Sequence, residues 1–263
     1  MGTWQDFEKE CCDYLNNNYG RWGISFRLSG ASNSNAPDIM VYKGNIHILN
    51  IEVKMAKAQS GQFVVKYENG RFVFSAENKT DAGDAVAIIA HMNRNKEKYK
   101  NVGTKSISID MDKDEFAKWI VAHYLEKNEP YVITKGEEGF IVVPIEKYTD
   151  YFKTTAAYRI KKSGSCDVSS ANLVDIKAYF RANGKTPVFS FVGKKLYMKN
   201  YPMREKEKFT VGKYDYMVSS IDHNGCYLRR LSNTNNANVI FSIELKSRQR
   251  QNDLREFEER IRR

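Results

Sequence analysis

Apolar side chains near the start of the chain recur every three or four residues, which predicts an amphipathic helix over residues 4–17. A Gly44-Asn45 turn joins strands predicted over 38–43 and 47–55 into a hairpin. The other elements predicted before residue 155 are a strand over 24–28, a hairpin over 62–75, a helix over 82–99, a strand over 106–110, a helix over 113–125 and a hairpin about Lys135-Gly136. This order predicts a mixed α/β (α+β) fold with a central mixed β-sheet flanked by helices.

The pattern changes beyond about residue 155, where a basic stretch gives way to small residues. A helix over 171–181, hairpins over 187–198 and about Asn224-Gly225, and a charged helix over 248–263 are predicted there. We therefore expect two parts, a core over 1–155 and a C-terminal α+β region over 156–263.

Composition narrows the class of partner. The 263 residues include 42 Lys and Arg against 32 Asp and Glu, for a formal net charge of +10, and 41% hydrophobic residues support a sizeable core. A cationic excess favours a polyanionic partner, although it is also compatible with a soluble basic protein of no particular affinity.

The four cysteines indicate a reduced protein. Cys11 and Cys12 are adjacent, Cys166 and Cys226 are isolated, and no CxxC pair with zinc-ligand spacing occurs. The first residues lack the apolar core of a signal peptide, and no stretch approaches the roughly 18 apolar residues of a membrane span. We expect a cytoplasmic protein without a membrane partner.

Two carboxylates and an ammonium are predicted to meet on the first hairpin. Alternate side chains of a strand share a face, so Glu52 and Lys54 project together. Asp38 and Glu52 lie equally far from Asn45, which places them opposite each other with Cβ atoms about 4.5–5.5 Å apart. Two like charges at that distance repel unless a cation lies between them.

This charge pattern suits a magnesium site. Mg²⁺ prefers oxygen ligands and keeps part of its hydration shell, so two carboxylates and a few waters suffice. The ion would activate a water and neutralise charge that builds on a phosphate, while Lys54 holds the water or stabilises the same charge. We predict phosphodiester hydrolysis with Mg²⁺ as cofactor and Mn²⁺ able to replace it. The alternative is an ordinary cross-strand ion pair, which contributes about 0–1 kcal/mol.

Pro37-Asp38 and Glu52-Val53-Lys54 resemble the motif of the PD-(D/E)xK nuclease superfamily, which includes type II restriction endonucleases and archaeal Holliday junction resolvases. Phe7-Glu8-Lys9-Glu10 and Phe26-Arg27-Leu28-Ser29-Gly30 precede it in the order of the resolvase branch. The likeness covers roughly residues 5–66. It implies a restriction-endonuclease-like core, metal ligands at Asp38, Glu52 and Val53, and catalytic roles for Asp38, Glu52, Lys54 and Glu8.

Several residues are candidate DNA contacts. The resemblance implies phosphate contact by Arg27, with Ser29 beside it. It also implies a glutamine or second lysine beyond the ExK motif that steadies the site or the scissile phosphate. Lys57, Gln59 and Gln62 are the candidates, and a plain polar loop is the alternative. The stretch 158–165 carries alternate cations on a predicted strand, which is typical of a DNA-backbone element or of a basic edge strand that discourages aggregation. The expected contacts are Arg27, Ser29, Gln62, Arg159, Lys161, Lys162 and Ser163.

The leading hypothesis is a type II restriction endonuclease that cuts double-stranded DNA at a specific sequence, as a homodimer, with a DNA methyltransferase acting on the same site. The C-terminal region would then recognise DNA or mediate dimerisation. Asn and Arg side chains are suited to base recognition. The candidate base-contacting residues are Tyr158, Arg159, Asn172, Arg181, Asn183 and the 233–238 loop. The alternatives are a structure-specific junction resolvase or repair nuclease, and a DNA-binding protein without catalysis.

Overall fold

The structure is a computed structural model that describes residues 4–29, 36–78, 83–102, 105–162, 164–232 and 235–263. Within these ranges the helices are α1 (Trp4–Tyr19), α2 (Val86–Arg94), α3 (Lys96–Lys100), α4 (Lys113–Glu126), α5 (Tyr148–Tyr151), α6 (Leu173–Ala182) and α7 (Gln251–Arg262). None of the helices described there is long and apolar enough to cross a membrane.

The strands in the same ranges belong to three sheets. They are β1 (Ile24–Leu28), β2 (Ile39–Lys43), β3 (Ile46–Val53), β4 (Lys57–Glu68), β5 (Arg71–Phe74), β6 (Ile107–Ile109), β7 (Tyr131–Gly136), β8 (Gly139–Pro144), β9 (Phe152–Lys162), β10 (Ser165–Asp167), β11 (Val188–Val192), β12 (Lys195–Lys199), β13 (Lys208–Val211), β14 (Tyr214–Asp222), β15 (Gly225–Leu231) and β16 (Asn235–Leu245).

The first sheet, with strand order β1-β2-β3-β7-β8, carries the predicted catalytic hairpin. Its neighbouring strands are antiparallel except β3 and β7, which are parallel. The sheet is therefore mixed, and the predicted mixed α/β fold is confirmed. Helices α1 and α7 pack against it. The core that they form with the sheet includes Cys11, Leu15, Ile39, Val41, Ile51, Val53, Tyr131, Phe257 and Ile261.

The second sheet has the order β5-β4-β16-β9-β6, and helix α4 contributes Trp119 to its aromatic core. The Trp119 ring stacks on Phe241 of β16 with centroids 4.6 Å apart and lies 5.5 Å from Phe63 of β4. Large buried aromatic rings of this kind account for much of the hydrophobic stabilisation of a core. This sheet therefore joins the strand that follows the ExK motif to a strand near the end of the chain.

Contacts divide the chain into two compact units, one over 1–159 and 238–263 and the other over 160–237. The second unit contains the third sheet, with order β11-β12-β15-β14-β13 and β10 paired to β15. Its core includes Ile176, Phe180, Leu196, Phe209, Tyr216 and Leu228. The second unit is thus an α+β region with a hydrophobic core of its own.

The end of the chain does not follow the predicted division at residue 155. Residues 238–263 belong to the first unit and not to a region that continues from 156. Phe257 and Ile261 are buried in the core of the first sheet, and the Phe257 ring meets Tyr131 edge-on at 5.1 Å. The many charges of this helix conceal its three- and four-residue apolar spacing, which is why the sequence placed it elsewhere.

Two local predictions also need correction. The single helix expected over 82–99 is two helices, α2 and α3, because Asn95 adopts a non-helical backbone and its side-chain amide donates to the His91 carbonyl oxygen at 2.9 Å. The hairpin expected about Lys135-Gly136 turns two residues later, since Gly136 pairs with Gly139. Neither change moves the predicted site.

Gly61 on β4 has a backbone that only glycine fits. Its φ is +145°, and a Cβ atom there would lie 2.7 Å from Cζ3 of the buried Trp119 ring. We expect Gly61→Ala to lower the free energy of unfolding by about 2–4 kcal/mol, because backbone strain and overpacking add. Denaturant unfolding monitored by tryptophan fluorescence measures this loss.

Gly70 provides the matched control, since its φ is +77° but a Cβ there meets nothing within 4 Å. Gly70→Ala should cost only the backbone strain, about 1 kcal/mol. Equal losses in the two variants would show that the Trp119 contact contributes nothing.

Candidate active site

The pairing of β2 with β3 sets the position of the two predicted acids. Ile39 pairs with Ile51, so Asp38 and Glu52 occupy the next position of the ladder, as the sequence predicted. Oδ2 of Asp38 accepts a hydrogen bond from the Val53 backbone N–H at 2.9 Å. The structure thus brings the PD and ExK halves of the motif into direct contact.

The hairpin reaches this register through a β-bulge. Lys43 pairs with Ile46 across the Gly44-Asn45 turn, but the register shifts by one residue between Val41 and Tyr42. The extra residue restores the pairing that is symmetric about Asn45 in the part of the hairpin next to the site. The predicted opposition of Asp38 and Glu52 is correct, although the turn itself is one residue tighter than that symmetry required.

Glu52 and Lys54 form a buried ion pair. The Lys54 ammonium contacts Oε1 of Glu52. The side chain of Lys54 is only 17% exposed and that of Glu52 only 8%. Burial alone would raise the pKa of Glu52, but the ammoniums of Lys54 and Lys127 hold it below its ordinary value. Burial would likewise lower the pKa of Lys54, and the carboxylates of Glu52 and Asp38 keep it above its ordinary value instead. Both groups are therefore charged at neutral pH.

Asp38 and Glu8 experience the excess of negative charge. Burial, then repulsion from Glu52, raises the pKa of Asp38 to about 6. Burial, followed by the charges of Asp38 and Glu52, raises the pKa of Glu8 on α1 to about 7. Glu10 forms an ion pair with Lys135 instead. The helix glutamate that is electrostatically coupled to the pair of acids is Glu8, as the sequence favoured.

The donor atoms available here suit magnesium. Oδ2 of Asp38 lies at the Val53 backbone, and the carboxylate of Glu52 is close enough to repel it. Oxygen is the ligand that Mg²⁺ prefers. The raised pKa values of Asp38 and Glu8 mark a repulsion that a cation between the acids would relieve. In the described part of the chain, no three His, Cys, Asp or Glu side chains form a ready-made metal cluster. Mg²⁺ is commonly held by one or two carboxylates plus water, so this finding is compatible with the predicted site.

Two residues of the cluster were missed by the sequence reasoning. Nζ of Lys127 lies 3.7 Å from Oε2 of Glu52 and 3.2 Å from Oε2 of Glu129. Glu129 is completely buried, and burial together with the charge of Glu52 raises its pKa to about 8. A Lys-Asn-Glu run before an apolar strand was the available signal, but only the parallel pairing of β3 with β7 brings it beside Glu52.

The predicted DNA contacts lie in different surroundings. The Arg27 guanidinium is exposed and sits 4.5 Å over the Tyr42 ring, and the Ser29 N–H donates to the Asp38 carbonyl oxygen at 3.3 Å. Gln62 is exposed on β4 and accepts a hydrogen bond from the Gln59 amide at 3.3 Å. Arg27, Ser29 and Gln62 thus each have a contact within the protein, and their contacts with DNA stay predictions.

The basic stretch over 158–165 includes one residue that does not match its predicted role. Tyr158 is buried against Phe72 and Tyr99, so it belongs to the core and is not available for base recognition. Arg159, next to it on β9, is exposed. Lys161 and Lys162 end the same strand, and Ser163 lies outside the described residues.

A groove of about 730 Å³ opens along the β7–β8 hairpin, and Ala56, close in sequence to Lys54, is one of its lining residues. Lys135, Lys246 and Arg248 are among its lining residues. Asp38, Glu52 and Lys54 are not, so this groove is distinct from the cluster. It adds cationic side chains to the first unit.

Comparison with known proteins identifies the family. The chain matches no family model, and no curated protein matches it. It is similar to the solved structure of HhaI endonuclease in complex with DNA, with 32% sequence identity, a TM-score of 0.86 and full coverage of both chains. The predicted restriction-endonuclease-like fold is therefore confirmed, and this protein belongs to the family of the HhaI endonuclease.

Proposed function

We propose that this protein is a Mg²⁺-dependent type II restriction endonuclease that hydrolyses phosphodiester bonds of double-stranded DNA at a specific sequence. The observation that carries the proposal is the meeting of the two halves of the motif, where Asp38 accepts from the Val53 N–H and Lys54 pairs with Glu52. The chain is also similar over its full length to an endonuclease that was solved with DNA. Pro37-Asp38 and Glu52-Val53-Lys54 would be its PD-(D/E)xK motif.

The acids would hold the metal ion. Asp38 and Glu52 would supply carboxylate oxygens, and Val53 would supply its backbone carbonyl oxygen. Glu8 would complete the site from α1. Bound there, Mg²⁺ would offset negative charge on the phosphate and favour ionisation of the attacking water. The Val53 N–H occupies Oδ2 of Asp38 and fixes the orientation of that carboxylate. This hydrogen bond supports the proposal, because the hairpin would hold the Asp38 carboxylate in one orientation before a metal ion binds.

Lys54 would act as a hydrogen-bond donor and not as a general base. In the metal-free protein burial would lower the pKa of Lys54, but the charges of Glu52 and Asp38 hold it above the ordinary lysine value, so the ammonium keeps its proton at neutral pH. A permanent positive charge stabilises the charge that develops on a phosphate, or orients the attacking water by donating to it.

DNA would be held mainly by cations. The formal net charge of +10 favours a polyanion. The groove beside the β7–β8 hairpin carries Lys246 and Arg248, although Glu138, 3.7 Å from Arg248, also lines it. The proposed contacts are Arg27, Ser29, Gln62, Arg159, Lys161, Lys162 and Ser163. A cytoplasmic location and a cognate methyltransferase stay predictions of the same proposal.

Digestion distinguishes the proposed activity from its rivals. With Mg²⁺, plasmid DNA should give discrete fragments with defined ends, and chelation of the metal should abolish the products. Cleavage of a four-way junction but not of plasmid would instead establish a resolvase. Binding of both substrates without any product would establish a non-catalytic DNA-binding protein.

The predicted homodimer is tested on the same substrate. Two cuts in an antiparallel duplex require two active sites at once or two successive events at one site. On cognate DNA a dimer should sediment at the mass of two chains plus the DNA, and it should convert supercoiled plasmid to linear product directly. A monomer that accumulates nicked plasmid would contradict the dimer while leaving the proposed chemistry intact.

A further inference from the structure

Glu52 lies between two ammonium groups that come from different parts of the chain. Lys54 follows it on the same strand end and contacts Oε1, whereas Lys127 comes from the α4–β7 connection and lies 3.7 Å from Oε2. Only Lys54 belongs to the motif. The second ammonium therefore has no role in the function proposed above.

Lys127 is held in place by backbone hydrogen bonds with Asn50 and by an ion pair with Glu129. Its carbonyl oxygen accepts from the Asn50 side-chain amide at 3.1 Å, and the neighbouring Asn128 carbonyl accepts from the Asn50 N–H at 3.1 Å. Its ammonium also contacts Glu129 at 3.2 Å. The connection is thus fixed to β3 two residues before Glu52.

An aromatic ring lies close to both ammoniums. The ring centroid of Tyr124 is 6.0 Å from Nζ of Lys54 and 5.7 Å from Nζ of Lys127. The Tyr124 hydroxyl donates to the Ser60 carbonyl at 2.9 Å, and the Ser60 hydroxyl meets Tyr148 at 2.6 Å. Because Ser60, Tyr124 and Tyr148 are all buried, this network gives the ring a fixed position against which the two lysines rest.

The arrangement resolves a conflict between two tasks of Lys54. In the metal-free protein Lys54 neutralises the buried Glu52, but the proposed reaction needs the same ammonium at the DNA. A buried carboxylate without a close cation is strongly unfavourable, so before a metal ion arrives Lys54 can leave Glu52 only if another cation stays beside it. The ammonium of Lys127 is already within reach of the other oxygen of Glu52.

We propose that Lys127 is a positioning residue that keeps Glu52 neutralised and oriented, and thereby releases Lys54 to act on the DNA phosphate. The inference rests on the proposed nuclease function. It also implies that Lys127 lowers the affinity of the site for a metal ion, because its positive charge lies beside Glu52, a proposed metal ligand.

The test compares Lys127→Met, Lys127→Arg and a control variant. In Lys127→Met we expect the DNA-free protein to bind Mn²⁺ about 3- to 10-fold more tightly, because one opposing charge is removed. Single-turnover cleavage at saturating Mg²⁺ should fall about 10- to 100-fold, since Glu52 could bind the metal ion through one oxygen and still hold Lys54 at the other. Lys127→Arg should restore both quantities most of the way towards wild type. Lys118→Met removes an exposed lysine paired with Glu115 on α4, and should change neither quantity.

The outcomes separate this inference from the proposed function. Unchanged Mn²⁺ affinity in Lys127→Met, or full cleavage at saturating Mg²⁺, would overturn the role of Lys127. If Lys127→Met proved poorly folded, Lys127→Arg should still cleave and bind Mn²⁺ like wild type, and failure there would also overturn the role. A wild-type protein that never cuts DNA would refute the nuclease proposal, whereas the Mn²⁺ comparison would still decide whether Lys127 acts on Glu52.

Discussion

Asp38→Asn is expected to reduce the rate of DNA cleavage by about a thousandfold or more while making the metal-free protein more stable near neutral pH. The asparagine oxygen can still accept from the Val53 N–H, so the hairpin should keep its geometry. What disappears is the negative charge that would attract Mg²⁺. Single-turnover cleavage and the free energy of unfolding in chelator measure the two effects.

The gain in stability follows from the pKa of Asp38. In the folded protein burial and Glu52 raise this pKa from 3.8 to about 6, so the folded state binds the proton more tightly than the unfolded state. Ionisation therefore costs stability as pH rises from about 4 to about 6, and the full cost applies above that range. Asp38→Asn should recover on the order of 1–3 kcal/mol at about pH 7.5 and nothing below about pH 4.

An exposed aspartate on α1 controls for the chemical change itself. Asp13 forms an ion pair with Lys9 at the surface, and Asp13→Asn should leave cleavage unchanged and produce no gain in stability. A stability gain of the same size in both variants would mean that burial and repulsion at Asp38 are not its cause.

Lys54→Met is expected to lose cleavage by about a hundred- to thousandfold and, unlike Asp38→Asn, to destabilise the protein. Removing the ammonium leaves the buried Glu52 without its closest partner, at a cost of about 2–3 kcal/mol because Lys127 remains nearby. DNA affinity measured in chelator should change little, since Lys54 is one cation among many. Cleavage, binding and unfolding are all measured on the same preparation.

A double variant separates the structural from the chemical part of this loss. Adding Glu52→Gln to Lys54→Met removes the unpaired charge, so stability should return towards wild type while cleavage stays absent. If the double variant remained as unstable as Lys54→Met, the ion pair would not be the source of the destabilisation.

The sequence predicted the central hairpin well because the required information was local. A short turn and alternating strands predict that Asp38 lies beside Glu52. The observed two-residue turn alone would place Asp38 opposite Ile51, and the β-bulge between Val41 and Tyr42 restores the predicted opposition. The pairing of Glu52 with Lys54 follows from their two-residue spacing on one strand face. These local rules do not depend on the rest of the fold.

Lys127 and Glu129 could not be found in this way. Their place in the cluster depends on the parallel pairing of β3 with β7, which joins segments that are far apart in sequence. The return of α7 to the first unit is another long-range contact, made by Phe257 and Ile261 within a strongly charged helix. Periodicity indicates that a helix is amphipathic, but it does not say which sheet the apolar face will cover.

The central claim is that Asp38, Glu52 and Lys54 together cut DNA, and single-turnover cleavage at saturating Mg²⁺ tests it most directly. Wild type and Asp38→Asn are mixed with the same labelled DNA, each in excess over it, after equal binding has been established in chelator. We expect wild type to convert the bound DNA to product and Asp38→Asn to leave it intact. Equal cleavage rates in the two proteins would contradict the account.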